Sequence, residues 1–207
     1  MRRHLLADRR AGASAALIPR ARGLVPPTAP RSCPCWESPC PICCCAAGRV
    51  AVSHAHGLAQ ADSATQDRLG RQLADAGVSL ITAAVYNFPV PPIARLRAAG
   101  VTIACGHDGI RDLWSPFGSG DMLERAMHLA YRSTFRRDEE IEMALEAASY
   151  GGARALGLQA YGLEPGARAD IVVVDASTPA EAVVTHPVRD LVVKAGRIVA
   201  RQGALVG

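Results

Sequence analysis

At 207 residues, with 49% hydrophobic content and a mean hydropathy of +0.11, the chain is long enough for one domain with a core of its own. Its net charge of +4 comes from one end: Met1 to Val50 holds eight Arg against Asp8 and Glu37, and the remainder is slightly acidic. The basic balance is therefore no argument for nucleic-acid or membrane binding by the main body, and we expect a cytoplasmic protein with neither partner.

Residues 1–48 read as a disordered leader. They hold seven of the 14 Pro and six of the seven Cys, and show no sustained helical or strand period. Cys33, Cys35, Cys40, Cys43, Cys44 and Cys45 do not form the paired C-x2-C knuckles of a zinc site. The segment has the Arg of an organelle-targeting leader, but Pro and Cys crowd its second half. Its apolar run Ala11 to Ile18 is too short for a secretory signal. All but one of the 23 basic residues are Arg, which fits GC-rich coding DNA, and an out-of-frame translation of such DNA is the reading preferred for the leader.

The character changes at Arg49. Arg49 to Ser53 predicts a strand that runs into His54-Ala55-His56, whose two imidazoles would share one face if the strand continued. Asp62 is placed to cap a helix that stops at Gly77, and Val78 to Val85 predicts a second strand. Pro91-Pro92 open the next helix, and Val101 to Cys105 is a third strand, ending at Gly106-His107-Asp108. Strands alternating with helices every ~30 residues are the repeat of a parallel α/β sheet or barrel, where chemistry sits past the carboxyl ends of the strands. An Asp there can bind a metal, move a proton or merely cap a turn.

Further helices are predicted from Asp121 to Tyr131 and from a cap at Asp138 to Ala148, with His128 a face or core histidine. The last segment reads as β-like: a turn at Gly162 to Gly166, a strand over Ala169 to Val174, and a hairpin about Ala195-Gly196. His186 falls in the connection before that hairpin, and Cys105 reads as a buried strand residue.

From Arg49 onward, VSHAHGL, GHDGIRDLWSPFGSGDML, ASYGGARALGL and YGLEPGARADIVVVD followed by VVKAGRIV resemble the metal-dependent amidohydrolases, most closely the cytosine deaminase group. The resemblance implies the C-terminal part of a (β/α)8 barrel, strands six to eight, over residues 49–160. It also implies part of a small β-sandwich, built from both chain ends in the family, over residues 161–207. By it, His54 matches the strand-six histidine that polarises water or substrate. Asp108 matches the strand-eight aspartate that ligates the metal and shuttles the proton, and Trp114 matches an aromatic lining the substrate pocket. The implied cofactor is a divalent metal, zinc or iron, and the implied substrate a small pyrimidine-like N-heterocycle deaminated with release of ammonia; self-association stays open.

His54-Ala55-His56 is not the family's strand-one metal pair. Only 54 positions separate His54 from Asp108, room for two βα units and not seven. His56 is left as a residue near the mouth that could touch substrate. The family's H-x-H pair, strand-five His and acidic Glu have no match in this sequence, so metal binding is expected to be incomplete and the chain to be a truncated or frameshifted product. The alternative is a catalytically silent chain, or one that works when another chain supplies the missing strands.

Overall fold

The computed structural model describes residues 4–7 and 50–206. In chain order, β1 (His4–Ala7) is followed by β2 (Ala51–Ser53), α1 (His56–Gln60) and α2 (Ser63–Asp75). Next come β3 (Ser79–Thr82), α3 (Ile93–Ala98), β4 (Ile103–Cys105) and α4 (Met122–Arg132). α5 (Asp138–Glu146) runs through a π turn, Ala147–Gly151, into α6 (Gly152–Ala155). The remaining elements are β5 (Ile171–Val174), α7 (Pro179–Thr185), β6 (Arg189–Lys194), β7 (Arg197–Arg201) and β8 (Ala204–Leu205).

β2, β3 and β4 form a parallel three-stranded sheet in that order, with Val52 opposite Leu80 and Ile81 opposite Ala104. Leu80, Ile103 and Cys105 are buried in β3 and β4, and Leu96 of α3 and Leu129 of α4 close over them. Apolar runs of three or four residues suit strands covered on both faces, as parallel sheets require. α2 begins as the sequence predicts: the Asp62 carboxylate accepts a hydrogen bond from the Thr65 amide at 2.9 Å, and Gly77 follows the helix at φ +63°.

The second sheet is antiparallel, ordered β1-β5-β6-β7-β8. Its core, Val172, Val174, Val192 and Ala200, packs against Leu123 and Ala126 of α4 and against Ala182 and Val183 of α7. Helix α4 thus touches both cores, and the Arg189–Asp121 ion pair ties its N-terminus to β6. The β6–β7 hairpin turns at Ala195-Gly196, both at positive φ (48° and 79°), as a two-residue connection between right-twisted strands requires.

Four sequence expectations need correction. His4–Ala7 pairs with β5, Leu5 opposite Val173, where residues 1–48 were expected to lack order; an extended segment here covers a strand edge that would otherwise be open. The other expectations for the leader lie outside the described residues. The segment after residue 161 is not β throughout, since α7 forms behind Thr178, whose hydroxyl accepts from the Glu181 amide at 3.0 Å, with Pro179 in the first turn. The N-cap of α5 is Arg137 and not Asp138, because Glu140 folds back to accept from the Arg136 and Arg137 amides. Finally, β2 stops at Ser53, so His54 and His56 do not lie on a strand.

Asp170, just before β5, ties the start of that strand to the β6–β7 turn. It is 3% exposed and accepts from the Ala195 amide at 2.8 Å, from Lys194 Nζ at 3.0 Å and from Arg168 Nε at 3.1 Å. Burial raises its pKa, but these donors together outweigh burial and hold the carboxyl below its ordinary value. A pKa lower in the folded than in the unfolded state stabilises the fold at pH above the unfolded value, and this contribution is lost as pH falls through the folded value. Asp170→Asn is therefore expected to cost about 1–3 kcal/mol at neutral pH. Most of that difference from the parent should vanish at an acid pH below the folded-state value, where the carboxyl is protonated in both states. Urea unfolding at the two pH values checks this; a cost unchanged by acid would mean that the charge contributes nothing.

Candidate active site

Two strand ends build the site. Past β2, the His54 amide donates to the Ile81 carbonyl at 2.7 Å, which extends the pairing by one residue. The chain then turns sharply, with His54 at φ +64° and Ala55 at φ +49°, before α1 starts at His56. Past β4, the Gly106 amide donates to the Thr82 carbonyl at 3.1 Å, and Asp108 follows at φ +70°. Left-handed backbone at a residue other than glycine costs about 1–3 kcal/mol and concentrates where function demands it. Both candidate catalytic residues have it.

Because β2 and β4 flank β3, these turns bring the two side chains together above the central strand. His54 Nε2 lies 3.4 Å from Asp108 Oδ2, with both side chains partly open to solvent, at 28% and 37%. The carboxylate can accept a proton, and the imidazole can donate to it or orient a water beside it. His56 is held separately. Its Nδ1 lies 2.8 Å from the Pro89 carbonyl, which fixes Nδ1 as the protonated nitrogen and leaves Nε2 as an acceptor when the ring is neutral. Its ring stacks on His54, with centroids 5.3 Å apart and planes at 19°, and tilts against Phe88. The two imidazoles are thus neighbours, though through a left-handed turn and not through a shared strand face.

Trp114 stands in the loop between β4 and α4. Asp112 accepts there from the Trp114 amide at 3.0 Å and the Ser115 amide at 2.9 Å, an Asx turn that shapes the loop locally. The Trp114 ring meets Tyr86 edge-on at 5.4 Å and is half exposed. It lines a cavity of about 400 Å³ together with Tyr86, Phe117, His107, Arg125 and His128, among others. His54 and Asp108 are not part of that lining, so Trp114 and the His54–Asp108 pair belong to adjoining rather than identical spaces.

Sequence reading missed Arg125. It is 5% exposed, donates from Nη1 to the Ala83 carbonyl at 2.7 Å, and places Nη2 3.3 Å from Nδ1 of His107, itself 1% exposed. One guanidinium thereby links α4 to the exits of β3 and β4. The signal was present: Arg125 stands three residues after Met122 and four before Leu129, on the helix face that turns inward. Burial, helped by Arg125, pushes the pKa of both His107 and His128 down, so both rings are neutral at neutral pH. Burial pushes the Cys105 thiol up to about 12, which removes it as a nucleophile or thiolate ligand.

The implied metal is not accommodated by the described residues alone. His54 and Asp108 supply two donors, and among the described residues no group of three or more His, Cys, Asp or Glu side chains comes together to hold an ion. A catalytic site of this kind takes three protein ligands as a rule.

The model of the amidohydrolase family matches residues 46–200. N-isopropylammelide isopropyl amidohydrolase of Pseudomonas sp. (strain ADP) is 34% identical over 160 residues, 77% of this chain and 40% of that protein. The crystal structure of N-isopropylammelide isopropylaminohydrolase from Burkholderia multivorans ATCC 17616 superposes with a TM-score of 0.75 at 54% identity, over 77% of this chain and 41% of that one. 5-Methylcytosine deaminase from Klebsiella pneumoniae, solved with 5-fluorocytosine, shares the fold at a TM-score of 0.67 and 24% identity, over 74% and 41% of the two chains. The chain thus spans about 40% of the length of the relatives it matches.

Proposed function

The chain belongs to the amidohydrolase family, and from that premise we propose that it carries the strand-six and strand-eight part of a hydrolytic site for the C–N bond of a small N-heterocycle. The observation that carries this reading is the 3.4 Å approach of His54 to Asp108 from two left-handed strand exits. The substrate class is a ring bearing an amino or alkylamino substituent. The relatives' names point to N-isopropylammelide at one end of that class and to a methylated cytosine at the other.

In the reaction, a water oxygen adds to the ring carbon that bears the substituent, and the C–N bond to that substituent then breaks. Asp108 takes the water's proton as the C–O bond forms and delivers it to the departing nitrogen, which leaves as ammonia or an alkylamine. His54 orients the water and hydrogen-bonds the oxygen on which charge develops. His56, fixed by Pro89, offers its second ring nitrogen to the substrate. The family's divalent metal would supply a water of lowered pKa, with Asp108 as one ligand. The described residues do not complete that ligand set.

The same two-donor arrangement favours a second reading, in which turnover needs a chain that supplies the remaining ligands. β2 and β4 are edge strands among the described residues, and a parallel sheet with open edges is suited to extension. The purified chain is incubated with zinc and either N-isopropylammelide or 5-methylcytosine, with and without a separately expressed segment carrying the family's first five barrel strands, and released amine is measured. Turnover by the chain alone supports the first reading, and turnover only in the mixture supports the second. No amine in either case removes both.

A further inference from the structure

The cavity beside Trp114 holds an unmet charge. Arg125 is nine-tenths buried, two of its five N–H groups are engaged by Ala83 and His107, and its Nε has no hydrogen-bond partner among the described residues. None of its partners is a carboxylate among the described residues. A buried cation without a counter-ion costs several kcal/mol, so the site gains from any anion that can reach it. Nε2 of His107, on the same wall, also lacks a bond of proper geometry. The cavity's other charged residues are Arg132 and Glu124. Arg132 donates to the Phe88 carbonyl with its Nε unsatisfied, and Glu124 is occupied by the Ser119 hydroxyl. Two guanidinium groups therefore face one carboxylate, a net charge of one positive unit. Four aromatic side chains, Tyr86, Trp114, Phe117 and Tyr131, also line it.

We propose that this cavity binds a planar aromatic or heteroaromatic ring carrying one anionic oxygen function, such as a carboxylate or a deprotonated ring oxygen, with the oxygen on Arg125 and the ring against Tyr86, Trp114 and Phe117. A volume of about 400 Å³ accommodates a single ring with its substituents. An extended Arg fork matches a carboxylate in two parallel hydrogen bonds, whereas a neutral ring would leave the charge as it is. The assignment does not depend on C–N hydrolysis, because the His54–Asp108 pair lies outside the cavity lining.

The chain contains two Trp, Trp36 and Trp114, so Trp36→Phe leaves Trp114 as the sole reporter. Its emission is titrated with benzoate, with isosteric uncharged benzamide, and with sodium chloride at matched ionic strength. The expected result is a saturable change with benzoate, at least tenfold weaker with benzamide and absent with chloride. Arg125→Met should weaken benzoate at least tenfold, Arg125→Lys should keep part of the affinity, and Asp108→Asn should bind as the parent does. If Arg125→Met does not fold, Arg125→Lys and the benzoate-to-benzamide ratio in the parent decide. Equal response to benzoate and benzamide, no saturable response to either, or loss of binding in Asp108→Asn overturns the proposal. None of these readouts involves turnover, so failure of the hydrolase reading leaves the test intact.

Discussion

Gly151→Ala is expected to unfold the protein or to cost more than about 4 kcal/mol, among the larger effects that a single methyl can have. Gly151 ends the π turn that leans on β4. A Cβ built there falls 2.0 Å from the Ile103 carbonyl oxygen and 3.1 Å from its carbon, with the Glu146 carbonyl at 3.2 Å. All three atoms are backbone, so no side chain can swing aside. The α5–α6 segment would have to lift from β4, opening the core in which Ile103 is 3% and Ala147 1% exposed. The gain in helix propensity from Gly to Ala, about 1 kcal/mol, is too small to offset this. Gly152 is the control: a Cβ there meets nothing within 4 Å, and Gly152→Ala is expected to be neutral or stabilising by up to about 1 kcal/mol. Urea unfolding followed by far-UV circular dichroism compares the two. Similar midpoints would mean that the close approach to Ile103 is not a constraint.

Asp108→Asn is expected to lower amine release by at least about 100-fold while leaving stability within about 1 kcal/mol of the parent. The amide keeps the size and shape of the carboxylate, and Asn tolerates the left-handed backbone that Asp108 adopts at φ +70°. It cannot take a proton from water, and it is a poorer ligand for a hard cation. The measurement is made in whichever assembly turns over, the chain alone or the mixture with the first five strands. Retained turnover would remove Asp108 from proton transfer. Loss of stability together with activity would mean that the carboxylate holds the loop rather than the reaction.

Much of the parallel sheet could be read directly. The runs Val78 to Val85 and Val101 to Cys105 are short, apolar and bounded by turn residues, and each contains the strand that forms. Asp62, Asp121 and Ala195-Gly196 also act as their local chemistry dictates, because a cap or a two-residue turn is settled within four residues. α7 was equally local and was overlooked: Thr178-Pro179-Ala180-Glu181 carries an N-cap, a proline in the first turn and an acid three residues on. The pairing of His4–Ala7 with β5 could not be read, since four residues state no partner and the strand they join lies more than 160 positions away.

By itself the sequence determined the alternation of strands and helices, the caps and turns, and through its motifs the family and the candidate residues His54, Asp108, Trp114 and His56. Tertiary structure alone decided that His54 meets Asp108 while Trp114 opens onto a neighbouring cavity, and that Arg125 turns inward to join two strand exits. The physical reason is range. Capping, turn and periodicity signals act over a few residues, whereas a buried charge or a 3.4 Å contact between residues 54 positions apart depends on strand order and on the helix packed over it.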